Sequence, residues 1–299
     1  MLINSAYKYD ITVQSLASAY NTSYSIKTGV AANYTELAKH VSLDGLGIPE
    51  PERRFLAYPA AHGGTDTGFR LKPRQLAWKL FVSASTESAF LTALDALFVV
   101  FKPTTLPLIL TITTPSAAVR KLDCYVNGPV EVAQSTQTGW SAVVTVPLYA
   151  PDPTFYASST TTQSITATTS PTNASLFYGG SWPAWPIIRF LGELVDPRLQ
   201  LRITTASGSR YYNIDFTGHT IVSGRTYTAD LRPGYKTLTD DLGANRLGNL
   251  ATPATFPQFR IFAAPIDASS GQNILDLYFT SKSGAARVEI DYIPRYISL

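Results

Sequence analysis

One cysteine, one methionine and three histidines in 299 residues leave little material for a disulfide framework, a redox pair or a metal centre. Cys124 lies in the strand-like run RKLDCYV with no base beside it, and reads as a buried, inert thiol. His40, His62 and His219 share no ligand spacing, so no metal site is expected. Charge is also scarce: charged residues make up 15% of the chain, and 24 basic against 21 acidic side chains leave a net +3 without a block of either sign. That balance argues against a nucleic-acid or membrane surface. No apolar run approaches the roughly 20 residues that cross a bilayer, so no membrane insertion is expected. The opening MLINSAYKYD lacks the basic flank and apolar core of a signal peptide, which predicts synthesis in a cytosol.

Catalytic and cofactor signatures are missing in the same way. Gly45 and Gly47 have no third glycine in register and no following helix, so a dinucleotide fingerprint fails. Asp240-Asp241 followed by Asn245 lacks the alternating oxygen ligands of a calcium loop and reads as a turn. Asn21, Asn33 and Asn173 match the glycosylation pattern, but without a secretory signal they read as chance. No nucleophile, acid pair or metal set is recognisable, so the sequence names no catalytic, cofactor-binding or metal residues, and no enzyme is expected.

What the chain has in quantity is aromatic and strand-forming sequence: 17 Tyr and 14 Phe bring aromatics to 12%. That suits sheets and extensive protein contact. Its length accommodates two domains, each with its own core. The stretch VPLYAPDPTFYA (146–157) ends a strand at Asp152-Pro153, because proline donates no ladder hydrogen bond. Ser158 to Asn173 follows, with Ile165 its only large apolar residue, and reads as a spacer that anchors no core.

Before that seam, Ser42 to Gly64 is punctuated by Gly45, Gly47, Pro49, Pro51, Pro59 and Gly63-Gly64 and reads as a long interface-forming loop. Leu76 to Ser83 reads as a strand, and Ser85 to Phe101 as the one helix. Ser85 is the expected N-cap, with Glu87 in the first turn and a stripe of Phe90, Leu91, Leu94, Leu97, Phe98 and Phe101. Strands are predicted at Leu108 to Thr114, Val119 to Val126, Val130 to Ala133 and Trp140 to Tyr149. Short segments around Tyr7 to Leu16 and Ser23 to Ala31 alternate as strands do. After the seam only short strands with Gly or Asn turns appear, the pattern of an antiparallel jelly-roll sandwich. The expected fold is therefore mainly β, with an N-terminal β-sandwich carrying one packed helix in residues 1–157, a Ser/Thr-rich spacer in 158–180 and a second sandwich in 181–299.

The order of these features resembles the distal tail protein (Dit) family of long non-contractile-tailed bacteriophages. Gly47 to Gly64 matches a G-x-P-x-x-x-R … P-x-x-x-G-G loop, and Ala150 to Tyr156 an A-x-D-P-x-F/Y strand end. Pro186 to Gly192 is similar to a P-x-I-x-x-x-G strand opening, and Asp230 to Leu238 with Gly243-Ala244-Asn245 to a D-x-R-x-G-x-K-x-V hairpin and G-x-N turn. The closing VEIDYIPRYISL also resembles the family's C-terminus. The chain departs from the pattern in its Thr-rich spacer and in a long loop over Gly243 to Pro257.

The resemblance implies a tail-tube-like belt domain that closes a homo-hexamer into a ring, with a galectin-like sandwich at its periphery. It implies a structural virion protein at the tail tip, assembled in the host cytoplasm. The implied partners are the tail tube protein, a tail-tip hub protein of the tail-associated lysin type and receptor-binding proteins or fibres, with DNA only in transit through the lumen. Arg53, Arg54, Arg70 and Arg74 are the expected ring-interface or lumen residues. Trp182 and Trp185 are expected at an interdomain contact or, on the alternative reading of a carbohydrate-binding module, at a glycan platform.

Overall fold

The computed structural model describes residues 10–15, 23–27, 38–58, 62, 64–114, 116–134, 139–205, 208–251, 256–264 and 272–299. The expected strand residues 7–9, 16 and 28–31, and Pro59 and Gly63 of the expected loop, lie outside the described residues. The chain divides into two compact units. Unit 1 comprises residues 1–156 and 297–299, and unit 2 residues 157–296.

Unit 1 contains β1 (Asp10–Ser15), β2 (Ser23–Lys27), β3 (Lys39–Asp44), β4 (Pro51–Ala57), β5 (Gly64–Leu71), β6 (Arg74–Ser83), α1 (Glu87–Val100), β7 (Leu108–Thr113), β8 (Val119–Val126), β9 (Glu131–Gln134), β10 (Ser141–Ala150) and β11 (Phe155–Ala157). An antiparallel path runs β2-β1-β7-β8-β10-β6-β3, with β9 also paired to β10. Two-residue alternation explains why these segments are strands. Arg74, Leu76, Trp78, Leu80 and Val82 of β6 point inward, as do Ala142, Val144, Val146, Leu148 and Ala150 of β10. Each fully buried Leu, Val or Trp contributes roughly 1.5–3 kcal/mol against the unfolded chain.

The helix begins one residue later than the sequence suggests. Thr86, not Ser85, is the N-cap, because its Oγ1 accepts from the Ala89 backbone N–H at 3.3 Å. Phe90, Leu94, Leu97, Val100 and Phe101 are buried, and the Phe101 ring meets Trp78 of β6 edge-on at 5.8 Å. Leu91, Phe98 and Val99, on the other side of the helix, remain exposed.

Unit 2 contains β12 (Thr161–Thr166), β13 (Thr172–Phe177), β14 (Ile187–Val195), β15 (Arg198–Thr205), β16 (Gly208–Asp215), β17 (Thr220–Ile221), β18 (Thr226–Asp230), β19 (Thr237–Asp240), β20 (Gln272–Tyr278) and β21 (Ser281–Tyr292). They form two antiparallel sheets, β12-β21-β14-β18-β19 and β13-β20-β15-β16, with β17 paired to β14. Ile188 and Phe190 of β14 and Val288 and Ile290 of β21 share one apolar core with Leu199 and Leu201 of β15 and Leu275 and Leu277 of β20. Phe190 also meets Phe216 edge-on at 5.1 Å. Gly192 makes a β-bulge possible: it has φ +81° at the register shift in β14, and a Cβ there would lie 3.0 Å from the Ala286 Cα.

The expected spacer is strand. Its threonines favour pleated backbone, and β12 pairs along β21 while β13 pairs along β20. Ile165 and Leu176 are both 2% exposed within the unit 2 core, so this stretch anchors a core after all.

Candidate assembly surface

The expected long loop is largely a hairpin. β4 and β5 pair over Pro51↔Leu71 to Ala57↔Gly64, with a bulge at Arg54/Phe55, and form a two-stranded sheet of their own. Polar cross-links hold its strands. Arg53 Nη1 donates to Asp66, Arg70 Nε donates to Glu52 at 2.8 Å, and Lys72 Nζ donates to Glu50 at 2.7 Å. Thr67 Oγ1 donates to the Arg54 carbonyl at 3.1 Å, and the Tyr58 and Thr65 hydroxyls lie 2.9 Å apart. The Arg70 hydrogen bond holds the Glu52 carboxyl below its usual range, and the Gly68 N–H does the same for Asp66, helped by Arg53.

These contacts fix strand register but supply little energy, since exposed ion pairs contribute about 0–1 kcal/mol each and an isolated two-stranded hairpin is marginal in water. Yet the hairpin leaves Phe55 and Leu56 each 64% exposed, and Tyr58 and Phe69 nearly half exposed. Ile48 precedes it and is also exposed. A marginal element that presents several exposed large apolar side chains offers surface for a contact.

The hairpin is tied to the body of unit 1 by Arg74, which is 3% exposed. Its Nη1 donates to the carbonyls of Gly45 and Gly47, in the connection from β3 to the hairpin, and its Nη2 and Nε donate to the carbonyls of Ile297 and Pro153. The guanidinium lies over the Phe155 ring at 4.6 Å. Burial lowers its pKa to about 10. Gly45 permits the approach: at φ +94°, any Cβ would fall 2.2 Å from the Gln75 carbonyl oxygen.

The structure thus gathers Arg53, Arg54 and Arg70 on one hairpin, with Arg53 and Arg70 paired inside it. Arg74 is corrected from an interface or lumen residue to a buried one, because backbone carbonyls engage all its donor nitrogens. The signal that could have located it is its position at the first inward-facing site of a strictly alternating strand. Trp182 and Trp185 are both half-buried within unit 2. The Trp182 N–H donates to the Arg295 carbonyl at 3.1 Å, its own carbonyl accepts from the Tyr178 hydroxyl at 2.6 Å, and Trp185 lies under the Arg295 guanidinium at 5.1 Å.

The sequence shows Asp240 only as part of a turn. It is 5% exposed and accepts from the Leu242 and Ala244 N–H groups and from Arg246 Nε and Nη2, which hold its carboxyl below the usual range. Cys124 is buried, and burial pushes its thiol pKa upward. Among the described residues, no three His, Cys, Asp or Glu side chains gather as metal ligands, and no helix is long and apolar enough to cross a membrane.

No family model and no curated protein matches the sequence. Solved structures do match. The chain is 13% identical to the Dit protein of phage SPP1, a hub adsorption apparatus protein of phages infecting Gram-positive hosts, with a TM-score of 0.62 over 96% of this chain and 98% of that one. Two phage P2 baseplate structures in the activated conformation, one with calcium and one with strontium, align at 10% and 11% identity. They cover 98% and 95% of this chain and 99% and 97% of theirs, with TM-scores of 0.41 and 0.38. From end to end, this mainly β chain has the fold of the SPP1 Dit protein.

Proposed function

We propose that this chain is a structural virion protein at the distal end of a long non-contractile phage tail. Six copies close into a ring that joins the tail tube to the tail-tip hub and anchors receptor-binding proteins or fibres. Unit 1 is the ring-forming belt module, and unit 2 is a galectin-like module at the periphery. The fold shared with the SPP1 Dit protein over nearly the whole of both chains supports this reading.

The observation that carries it is the β4–β5 hairpin, whose Phe55, Leu56 and Phe69 stand exposed and call for a cover. A cyclic ring is built from heterologous contacts, so each subunit needs two different faces that fit each other. The hairpin offers one, and the exposed Leu91, Phe98 and Val99 of α1 offer a second. Arg53 and Arg70 of the hairpin pair with Asp66 and Glu52, and Lys72 beside it pairs with Glu50, which suits an interface or a lumen through which DNA passes without being gripped.

Native mass spectrometry with negative-stain imaging tests the reading, first on the chain alone and then with its tail tube protein as template. Hexameric rings with a central hole support it. A folded chain that stays monomeric under both conditions overturns it.

A further inference from the structure

The register of the β4–β5 hairpin sorts its side chains onto two faces. Arg53 pairs with Phe69 and Phe55 with Asp66, and the Arg53 guanidinium reaches both the Asp66 carboxylate and, at 5.9 Å, the Phe69 ring, so this face balances its own charge. Arg54 pairs with Gly68 and Leu56 with Thr65, whose hydroxyl meets that of Tyr58, so Arg54, Leu56 and Tyr58 stand on the opposite face. All three are exposed. Gly68 sets no side chain against Arg54, and Glu52, two residues along the same face, is taken by Arg70 Nε. Residues 59–61 and 63 between the strands carry no carboxylate. Among the described residues, Arg54 is the hairpin arginine without an ion pair.

The outer side of α1 carries the reverse charge. Its sequence, ESAFLTALDALFVV, contains no Lys or Arg, and its acids are Glu87 and Asp95. Glu87 lies in the first turn, where the helix dipole favours it. Asp95 stands instead in the middle of an apolar strip, with exposed Leu91 one turn before it and exposed Phe98 and Val99 one turn after it. No cation among the described residues pairs with it. The exposure of Leu56 and of Leu91 shows that the hairpin of a copy does not cover its own helix.

We propose that the Arg54, Leu56 and Tyr58 face of the hairpin docks on α1 of a second copy of this chain, with Arg54 paired to Asp95. The inference rests on the ring reading and names its contact. Burying Leu56 and Tyr58 against Leu91, Phe98 and Val99 supplies attraction without direction. The charge pair within that contact fixes the register, because a guanidinium and a carboxylate meet in a planar fork and like charges at the same place repel. Each copy gives its hairpin and receives a hairpin on its helix, which is the heterologous contact a closed ring needs.

The test is charge reversal in the full chain, read by native mass spectrometry under the condition in which wild type assembles. Arg54→Asp sets a carboxylate against Asp95, and Asp95→Arg sets a guanidinium against Arg54. Each variant alone should lose the ring while keeping the circular dichroism of the folded wild type. Mixed in equal amounts, the two should regain it as rings holding three copies of each, because in an alternating ring every contact again joins opposite charges. Arg54→Glu and Asp95→Lys replace a variant that fails to fold. Rings formed by either variant alone, or a mixture that forms none, overturn this contact and leave the ring reading standing. A wild type that stays monomeric, alone and with its tail tube protein, overturns the ring reading and the contact with it.

Discussion

The Arg74 Nε donates to the carbonyl of Pro153 at 2.9 Å, so the first residue of β6 fastens the turn that follows β10. The same guanidinium reaches Gly47 at 2.6 Å and Ile297 at 2.9 Å. One side chain therefore ties together segments far apart in sequence, and its partners are carbonyls rather than carboxylates. Arg74→Met should remove the charge yet orphan those carbonyls, costing about 3 kcal/mol. Arg74→Lys should recover only part, because an ammonium does not present the planar fork. Urea unfolding of the two variants against wild type measures both effects.

Trp78 Nε1 donates to His40 Nδ1 at 3.0 Å, which requires an unprotonated nitrogen there. Burial lowers the His40 pKa below its ordinary 6.5. The unfolded chain consequently takes up a proton at a higher pH than the folded one. The His40 contribution is complete above about pH 6.5 and declines as pH falls from there through the folded pKa. His40→Gln should flatten this part of a curve of unfolding midpoint against pH.

Asp240→Asn should lower the unfolding midpoint, since Asn keeps one acceptor oxygen but loses the charge that Arg246 and two backbone N–H groups address. The depressed carboxyl sets the sign of the pH effect. Its stabilisation is present above the ordinary Asp pKa and is lost as pH falls through the lower folded value. Acid unfolding of wild type and variant should converge at low pH.

Ile165→Ala should cost about 2–4 kcal/mol, the range for truncating a buried aliphatic residue. A change within about 0.5 kcal/mol, as for a surface site, would return the segment to the status of a spacer. Chemical denaturation measures the difference.

Phe55→Ser with Leu56→Ser should leave the stability of the monomer within about 0.5 kcal/mol, because both side chains are largely exposed. On the ring reading the same pair should abolish the hexamer expected in native mass spectrometry. Retention of full rings by the double variant would remove the hairpin from the interface.

The sequence by itself determined the most strongly periodic elements. The alternation of Leu76, Trp78, Leu80 and Val82 and the helical stripe from Phe90 to Phe101 are local periodicities, set by how successive side chains leave the backbone. Composition likewise carried the mainly β class. Tertiary structure decided which of these surfaces is covered. Ile165 looks stranded in a polar run until β12 lies along β21, and Arg74 looks like a surface cation until Gly45, Gly47, Pro153 and Ile297 surround it. The segment around Phe55 reads as loop because its glycines and prolines mask a pairing set by register with β5. For Ile165 and Arg74 the covering groups come from residues distant in the chain, whose approach no local pattern encodes.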